Sequence, residues 1–301
     1  MRHAFAVLLM AILPGAAAAQ PASGPNFDCA RASRPVETAV CADPALSALD
    51  RLLDRAYRLA LDGLAADRAA ALKGDQLRWM VERNRAAAAP GDARAALMAV
   101  YDRRLRAVIA QEGARIERHA VERVRPIDPL AAAGAAAEEE AAFAAYVLTT
   151  LHPAPAAAGP DVGGEEEVLA PVELYAGFTY AAPLPDGRLF VAVPEECGAY
   201  QCVIAPFLVD QAAGSAARLA VEVEAAGGSR PRVDPGARPL GIPSVRGNLV
   251  EVFEQARGAG DCGVRWRYRV VGTTLALVQA VEKAACDGAG WDGARTRNWG
   301  P

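Results

Sequence analysis

The hydrophobic period of this chain changes once, and that change limits its fold more than any other feature. From Pro44 to about Arg123, apolar residues recur at three- and four-residue intervals, the spacing of one buried helix face. From Arg188 to Val281 they fall in short runs separated by Gly, Pro and Asp: "RLFVAV", "CVIAPFLV", "ARLAVEVE", "NLVEVFEQ", "RWRYRVV" and "TLALVQAV". Such runs read as β-strands. The chain is therefore expected to be α+β, with the helices first. Between the two patterns lie "PLAAAGAAAEEEAAFAAY" (Pro129–Tyr146) and "HPAPAAAGPDVGGEEE" (His152–Glu167), where Pro and Gly spacing suits an extended linker. The Glu138–Glu140 and Glu165–Glu167 runs read there as solvated charge. The expected division is a leader at 1–19, a helical domain at 26–125, a linker at 126–170 and a β domain at 171–301. Each half is expected to fold alone.

Helix signals in the front part are local. Asp43-Pro44 places an N-cap acceptor before a proline at the first helical position, and Leu46, Leu49, Leu53, Ala56, Ala60 and Leu64 follow at helical spacing. A second helix runs from about Ala65 to Ala88, carrying Leu72, Gln76, Trp79 and Arg83, and Pro90-Gly91 breaks it. A third starts at Asp92, turns Leu97, Tyr101, Leu105, Val108 and Ile109 inward, and continues towards Arg123. Three helices joined by short turns predict a small antiparallel bundle. For the back part, short strands at close spacing predict a compact antiparallel sandwich or barrel.

The opening "MRHAFAVLLMAILPGAAAAQ" has a cationic Arg2, an apolar stretch from Ala4 to Leu13 and small residues Ala17-Ala18-Ala19 before Gln20. That is the plan of a secretory leader, and the apolar stretch is short for a membrane span. No cysteine follows the expected cleavage site, so no lipid anchor is expected, and charges interrupt every later apolar stretch. The expected product is a soluble periplasmic or secreted protein. Loss of Arg2 with the leader takes Lys+Arg from 32 to 31 against 36 Asp+Glu, a net charge of −5. A mildly acidic chain lacks the basic footprint of a nucleic-acid or anionic-membrane binder. The two histidines left, His119 and His152, sit in no ligand or triad spacing, and G-x-S-x-G is absent. No enzymatic activity, metal or cofactor is expected.

All six cysteines lie beyond the leader, and an even count in an exported chain reads as disulfides, with fifteen connectivities possible. The segment before the first long helix is polar. A Cys29–Cys41 bridge would close a loop of roughly thirteen residues, contribute about 3 kcal/mol and pin this strap to the bundle. Cys197 and Cys202 enclose "GAYQ", which suits a local bridge, and Cys262 and Cys286 flank an expected hairpin turning near Gly272. Spacing alone leaves the pairing of these four open. Gly258, Gly260 and Gly263 satisfy G-x-G-x-x-G, but the dinucleotide fingerprint needs a helix next, and here a β pattern follows. That pattern puts Trp266, Tyr268 and Val270 on one face and Arg265, Arg267 and Arg269 on the other. The three arginines suit either an anionic ligand or an exposed face or edge that resists strand pairing.

"FDCARASRPVETAVCADPALSALDRLLDRAYRLAL", "LKGDQLRWMVERNR" and "ALMAVYDRRLRAVI" together resemble the lysozyme inhibitor LprI-like N-terminal domain over residues 26–110. The matching positions are Asp28, Cys29, Ala32, Glu37, Cys41, Gln76, Trp79, Arg83, Tyr101 and Arg104. The family usually carries a second cysteine pair before its last helix, and "RNRAAAAPGDARAAL" has none. A second resemblance, over about 180–300, is to an uncharacterised domain of exported proteobacterial proteins, through Arg257, Gly258, Gly260, Asp261, Cys262, Gly263, Leu277, Val278 and Cys286. It brings no activity with it. The first resemblance implies a protein partner, a lysozyme or another cell-wall hydrolase. The candidate contacts are Arg31, Ser33, Arg34 and Glu37 in the cysteine loop, with Arg265, Arg267 and Arg269 next. Gln76, Trp79 and Arg83 read first as packing between helices and second as a binding face. The alternative function is an envelope structural or interaction protein.

Overall fold

The computed structural model describes residues 24–131, 134–154, 170–225, 229–234 and 236–299. The expected leader and the Glu165–Glu167 run lie outside them. A 3-10 turn at Cys29–Arg31 leads into α1 (Pro35–Ala42) and α2 (Pro44–Leu61). The Asp43 carboxylate accepts from the N–H groups of Ala45 and Leu46 at 2.9 and 3.0 Å, the cap that the sequence predicts. Then come α3 (Ala66–Ala88), α4 (Ala93–Gln111), α5 (Gly113–Arg123), α6 (Ala135–Leu151) and α7 (Pro171–Phe178). Seven helices among the described residues replace the expected three. The expected third helix is two, α4 and α5, because Glu112 leaves helical geometry (φ −124°, ψ 35°). At the same point Gly113 lies against Leu151, where an added Cβ would come within 2.9 Å of a methyl carbon. The break lets α5 run beneath α6.

Helix α6 falls inside the stretch expected as linker. Every residue from Ala141 to Leu148 is buried. Alanine forms helices readily and lets neighbouring backbones approach closely, so an Ala-rich stretch serves as well inside a core as in a spacer. Nor are Glu139 and Glu140 left as solvated linker charge. Arg51 Nε meets Glu139 at 2.7 Å, Arg55 Nη2 meets Glu140 at 2.7 Å, and Arg123 Nη2 meets Glu140 at 2.9 Å. The Arg55 guanidinium also lies 4.2 Å over the Phe143 ring. These contacts fasten α6 to α2 and α5.

Burial pushes the Glu140 carboxyl up, but hydrogen bonds from Arg123 and Arg55 outweigh it and hold the group below its ordinary 4.5. A depressed carboxyl contributes stability that is present above its unfolded value and lost as pH falls through the folded one. Asp50 works in the opposite sense, since burial raises its pKa. A comparison of variants isolates Glu140. Glu140→Gln should lower the thermal midpoint at pH 7 and shrink the drop between pH 5 and pH 3. Equal drops in variant and wild type would remove Glu140 from the acid response.

The strands are β1 (Tyr180–Pro183), β2 (Leu189–Cys197), β3 (Cys202–Asp210), β4 (Ser215–Arg218), β5 (Ala220–Ala225), β6 (Ser229–Asp234), β7 (Leu240–Arg246), β8 (Leu249–Gln255), β9 (Gly263–Val271), β10 (Thr274–Lys283) and β11 (Arg295–Asn298). They form one sheet in the order β1-β2-β3-β7-β8-β9-β10-β5-β6, with β4 also on β3 and β11 also on β10. Strand β11 thus adds to the sheet beyond the hairpin that turns near Gly272. The sheet does not close, which corrects the expected sandwich or barrel. The reason lies in β2 and β3, which are buried on both faces. Leu189, Val191, Val193, Ala205, Phe207 and Val209 join the helical core. Phe190, Ala192, Ile204 and Leu208 face a second core with Val221, Val250, Val252, Tyr268, Leu275 and Leu277. With helices on one face, the sheet has only to curl over the other. The first core is continuous from Val36 of α1 to Val209 of β3.

Candidate functional site

The Cys29–Cys41 loop is held at several points. The bridge joins Cα atoms 5.9 Å apart, and bridges Cys197–Cys202 and Cys262–Cys286 complete the set. Asp28 Oδ1 accepts from Ala30 N–H at 2.9 Å. Glu37 Oε2 accepts from the N–H groups of Ser33 and Arg34 at 3.0 and 3.1 Å. Those bonds hold the Glu37 carboxyl below its ordinary value. Glu37 is therefore turned onto its own loop. The strap is also less polar than its sequence suggests, because Val36 and Val40 of α1 are buried in the helical core. Arg31, Ser33 and Arg34 are exposed. Arg34 reaches Glu37 only at 3.9 Å, so two guanidinium groups and a hydroxyl stand outward on a braced frame.

Gln76, Trp79 and Arg83 point the other way, into the bundle. Trp79, 7% exposed, stands edge-on to Tyr101 with centroids 5.1 Å apart, and its Nε1–H donates to Val100 O at 3.2 Å. Arg83, 8% exposed, lies over the Trp79 ring and donates from Nη1 to Tyr101 Oη at 3.2 Å. Tyr101 Oη–H donates to Asp50 Oδ1 at 2.9 Å, and Asp50 Oδ2 accepts from Asn26 N–H at 3.0 Å. Burial lifts the Tyr101 hydroxyl well above its ordinary value and keeps it a donor. The network ends at Asn26, so the packed tryptophan, arginine and tyrosine brace the strap from below. Gln76 Oε1 accepts from Arg104 Nε at 3.0 Å.

On the sheet, strand β9 runs between β8 and β10 and is no edge. Trp266, Tyr268 and Val270 face the second core as the alternation predicts. The opposite face is engaged. Arg265 stacks on Phe253 and Trp291, 5.1 and 4.3 Å from their centroids, and Arg267 pairs with Glu251 at 2.7 Å and Gln279 at 2.6 Å. Arg269 is half-buried on that same face. Gly258 and Gly260 form a turn, with Gly260 at φ +66°, and a strand follows, so no helix N-terminus is offered to a nucleotide. The "RGAGDCG" signature is a fastening. Arg257 holds both Asp261 carboxylate oxygens at 2.8 and 2.6 Å, and Asp261 Oδ2 accepts from Gly288 N–H at 2.6 Å. Lys283 Nζ donates to Asp261 O, Asp287 Oδ1 and Ala289 O at 2.9, 2.6 and 2.9 Å. Sequence reading missed Lys283 and Trp291, since a lone lysine ending a strand and a tryptophan in a Gly-rich tail carry no periodic signal.

A groove of about 320 Å³ opens between α3 and α4, lined by Asp75, Arg78, Trp79, Glu82, Val100, Arg103, Arg104 and Ala107. A second, about 270 Å³, lies among α2, α6 and α7. No group of His, Cys, Asp and Glu among the described residues could hold a metal ion, and no described helix is long and apolar enough to cross a membrane.

A family model described as Lysozyme inhibitor LprI matches residues 29–124. That stretch begins at the first bridged cysteine and ends at Val124, the residue that closes α5. No curated protein and no solved structure matches the chain.

Proposed function

We propose that the chain is an exported, non-enzymatic binding protein of the periplasm or cell exterior, and that it inhibits a lysozyme or a related cell-wall hydrolase. The observation that carries this reading is the lysozyme-inhibitor match over 29–124, which takes in the braced loop presenting Arg31, Ser33 and Arg34. Glycoside hydrolases generally work through a pair of carboxylates in a cleft. A projecting guanidinium pairs with such a group by charge-assisted hydrogen bonds. The bridge and the Glu37 cap order the loop before it binds, which lowers the entropic cost of association. A net charge of −5 on the mature chain favours encounter with a cationic hydrolase. Among the sequence candidates, Arg31, Ser33 and Arg34 are retained. Glu37 supports the loop, Trp79 and Arg83 support its base, Gln76 is engaged with Arg104, and the Arg265, Arg267 and Arg269 face is second in line.

The test is a panel of muramidases assayed with the purified protein. At least one is expected to lose activity stoichiometrically. Arg31→Ala/Arg34→Ala should weaken that inhibition at least about tenfold, the scale of one charge-assisted hydrogen bond. No inhibition anywhere in the panel ends the reading, and undiminished inhibition by the double variant moves the contact off the loop. One observation favours the alternative of an envelope interaction protein without inhibitory action: "RNRAAAAPGDARAAL" lacks the second cysteine pair usual in the family it resembles. Capture of a non-hydrolase envelope partner by the wild-type chain would support that alternative.

A further inference from the structure

We propose that the groove between α3 and α4 is a carboxylate-binding site centred on Arg104. The ligand is a single carboxylate, carried by a small free acid or by an acidic side chain of a partner. The inference does not rest on inhibition of a hydrolase.

The charges of the groove do not balance, and the surplus lies on one residue. Arg78 pairs with Asp75, and Arg103 pairs with Glu82 at 2.7 Å. Both carboxylates therefore have an arginine of their own. Arg104 has none. Its Nε donates to Gln76 Oε1 at 3.0 Å. Among the described residues its other guanidinium N–H groups meet no acceptor, and Nη2 is buried. A half-buried guanidinium offers five N–H donors in a planar fork suited to carboxylate, and here one is used. Burial acts on this cation in the expected sense, lowering its pKa, while Asp75 raises it and Arg78 lowers it further. An entering carboxylate supplies the missing acceptor and the missing counter-charge together.

The surroundings select the ligand's class. Asp75 and Glu82 on the rim repel a multiply charged head such as phosphate, whereas one negative charge meets one unmatched positive charge. Val100 and Ala107 on the α4 side give an aliphatic stem somewhere to lie. The Arg103–Glu82 pair is exposed on both sides and weakly held, so it opens at little cost. A purely structural role for Arg104, holding Gln76 in place, leaves its remaining donors unexplained.

The full chain, labelled with nitrogen-15, can be titrated at constant ionic strength with sodium butyrate and, separately, with a capped peptide containing one glutamate. The readout is the indole N–H signal of Trp79, which lines the groove and is one of four tryptophans. Its assignment follows from its absence in Trp79→Phe. A saturable shift is expected with at least one probe. A response to butyrate alone identifies a small acid, and a response to the peptide identifies a partner's side chain. In Arg104→Gln the apparent affinity should fall at least fivefold, and in Arg85→Gln, exposed elsewhere on α3, it should be unchanged. Thermal midpoints establish that each variant is folded. If Arg104→Gln is not, Arg104→Lys keeps the charge, loses the fork and should still bind several-fold more weakly. No saturable shift with either probe, or equal affinity in the folded Arg104 variants and wild type, overturns the proposal.

Discussion

A chain ending at Leu130 is expected to lose the native bundle, although it keeps five helices and every residue of the cysteine loop. What it loses is α6. Phe143, Tyr146, Val147 and Leu148 of that helix are at most 1% exposed. Burying four such side chains contributes roughly 6–12 kcal/mol, at about 1.5–3 kcal/mol each. The whole stability of a domain is only about 5–15 kcal/mol. Truncation would also strand cations. Arg51 and Arg55 would lose Glu139 and Glu140, and Arg106 would lose the Tyr146 ring, 5.0 Å from its guanidinium, with the Thr149 and Thr150 hydroxyls at 3.3 Å. Circular dichroism and urea unfolding of residues 24–130 decide the matter. A cooperative transition within about 2 kcal/mol of the intact chain would show that α6 is dispensable. Within the full chain, Phe143→Ala should cost about 3–5 kcal/mol.

Trp79→Ala should be nearly as damaging, and it separates packing from recognition in the Gln76, Trp79 and Arg83 motif. The substitution removes the ring that meets Tyr101 edge-on, the surface beneath Arg83 and the donor to Val100 O. The expected loss is about 3–5 kcal/mol, as for other buried aromatic residues. Trp79→Phe keeps most of the ring and should cost roughly 1–2 kcal/mol for the lost hydrogen bond and area. Unfolding by urea measures both. A loss under about 1 kcal/mol for Trp79→Ala would contradict its place in the core. Because the network continues through Tyr101 and Asp50 to Asn26, proteolysis of the Cys29–Cys41 strap should quicken in the alanine variant before global unfolding.

The candidate site was legible to different depths. Arg31, Ser33 and Arg34 could be placed outward because a short bridged loop has few ways to bury them. Glu37 could not, since whether a carboxylate caps its own helix or faces a partner is decided by backbone geometry at Ser33 and Arg34. The face carrying Arg265, Arg267 and Arg269 was read correctly from alternation. Its occupancy was not, because Phe253, Trp291, Glu251 and Gln279 come from separate segments. Arg104 stood in a recognised motif, but its lack of a counter-ion appears only when Arg78 and Arg103 are seen to take the nearby carboxylates.

By itself the sequence determined what depends on neighbours along the chain. The Asp43 and Asp92 caps, the helical period of α2 to α4, the strand alternation around Trp266 and the Gly272 turn all rest on residues within a few positions of one another. So does the Cys29–Cys41 closure, whereas the pairing of Cys197 with Cys202 and of Cys262 with Cys286, left open by spacing, was decided by the structure. Tertiary structure alone decided the fate of α6 and the shape of the sheet. An alanine- and glutamate-rich segment carries almost no directional pattern, so it is a spacer or a core helix according to what it meets. Here it meets Arg51 and Arg55 from about 85 residues away. The sheet likewise stays open because the helical core, α7 included, covers one face of β2 and β3, a fact that no window of strand residues contains.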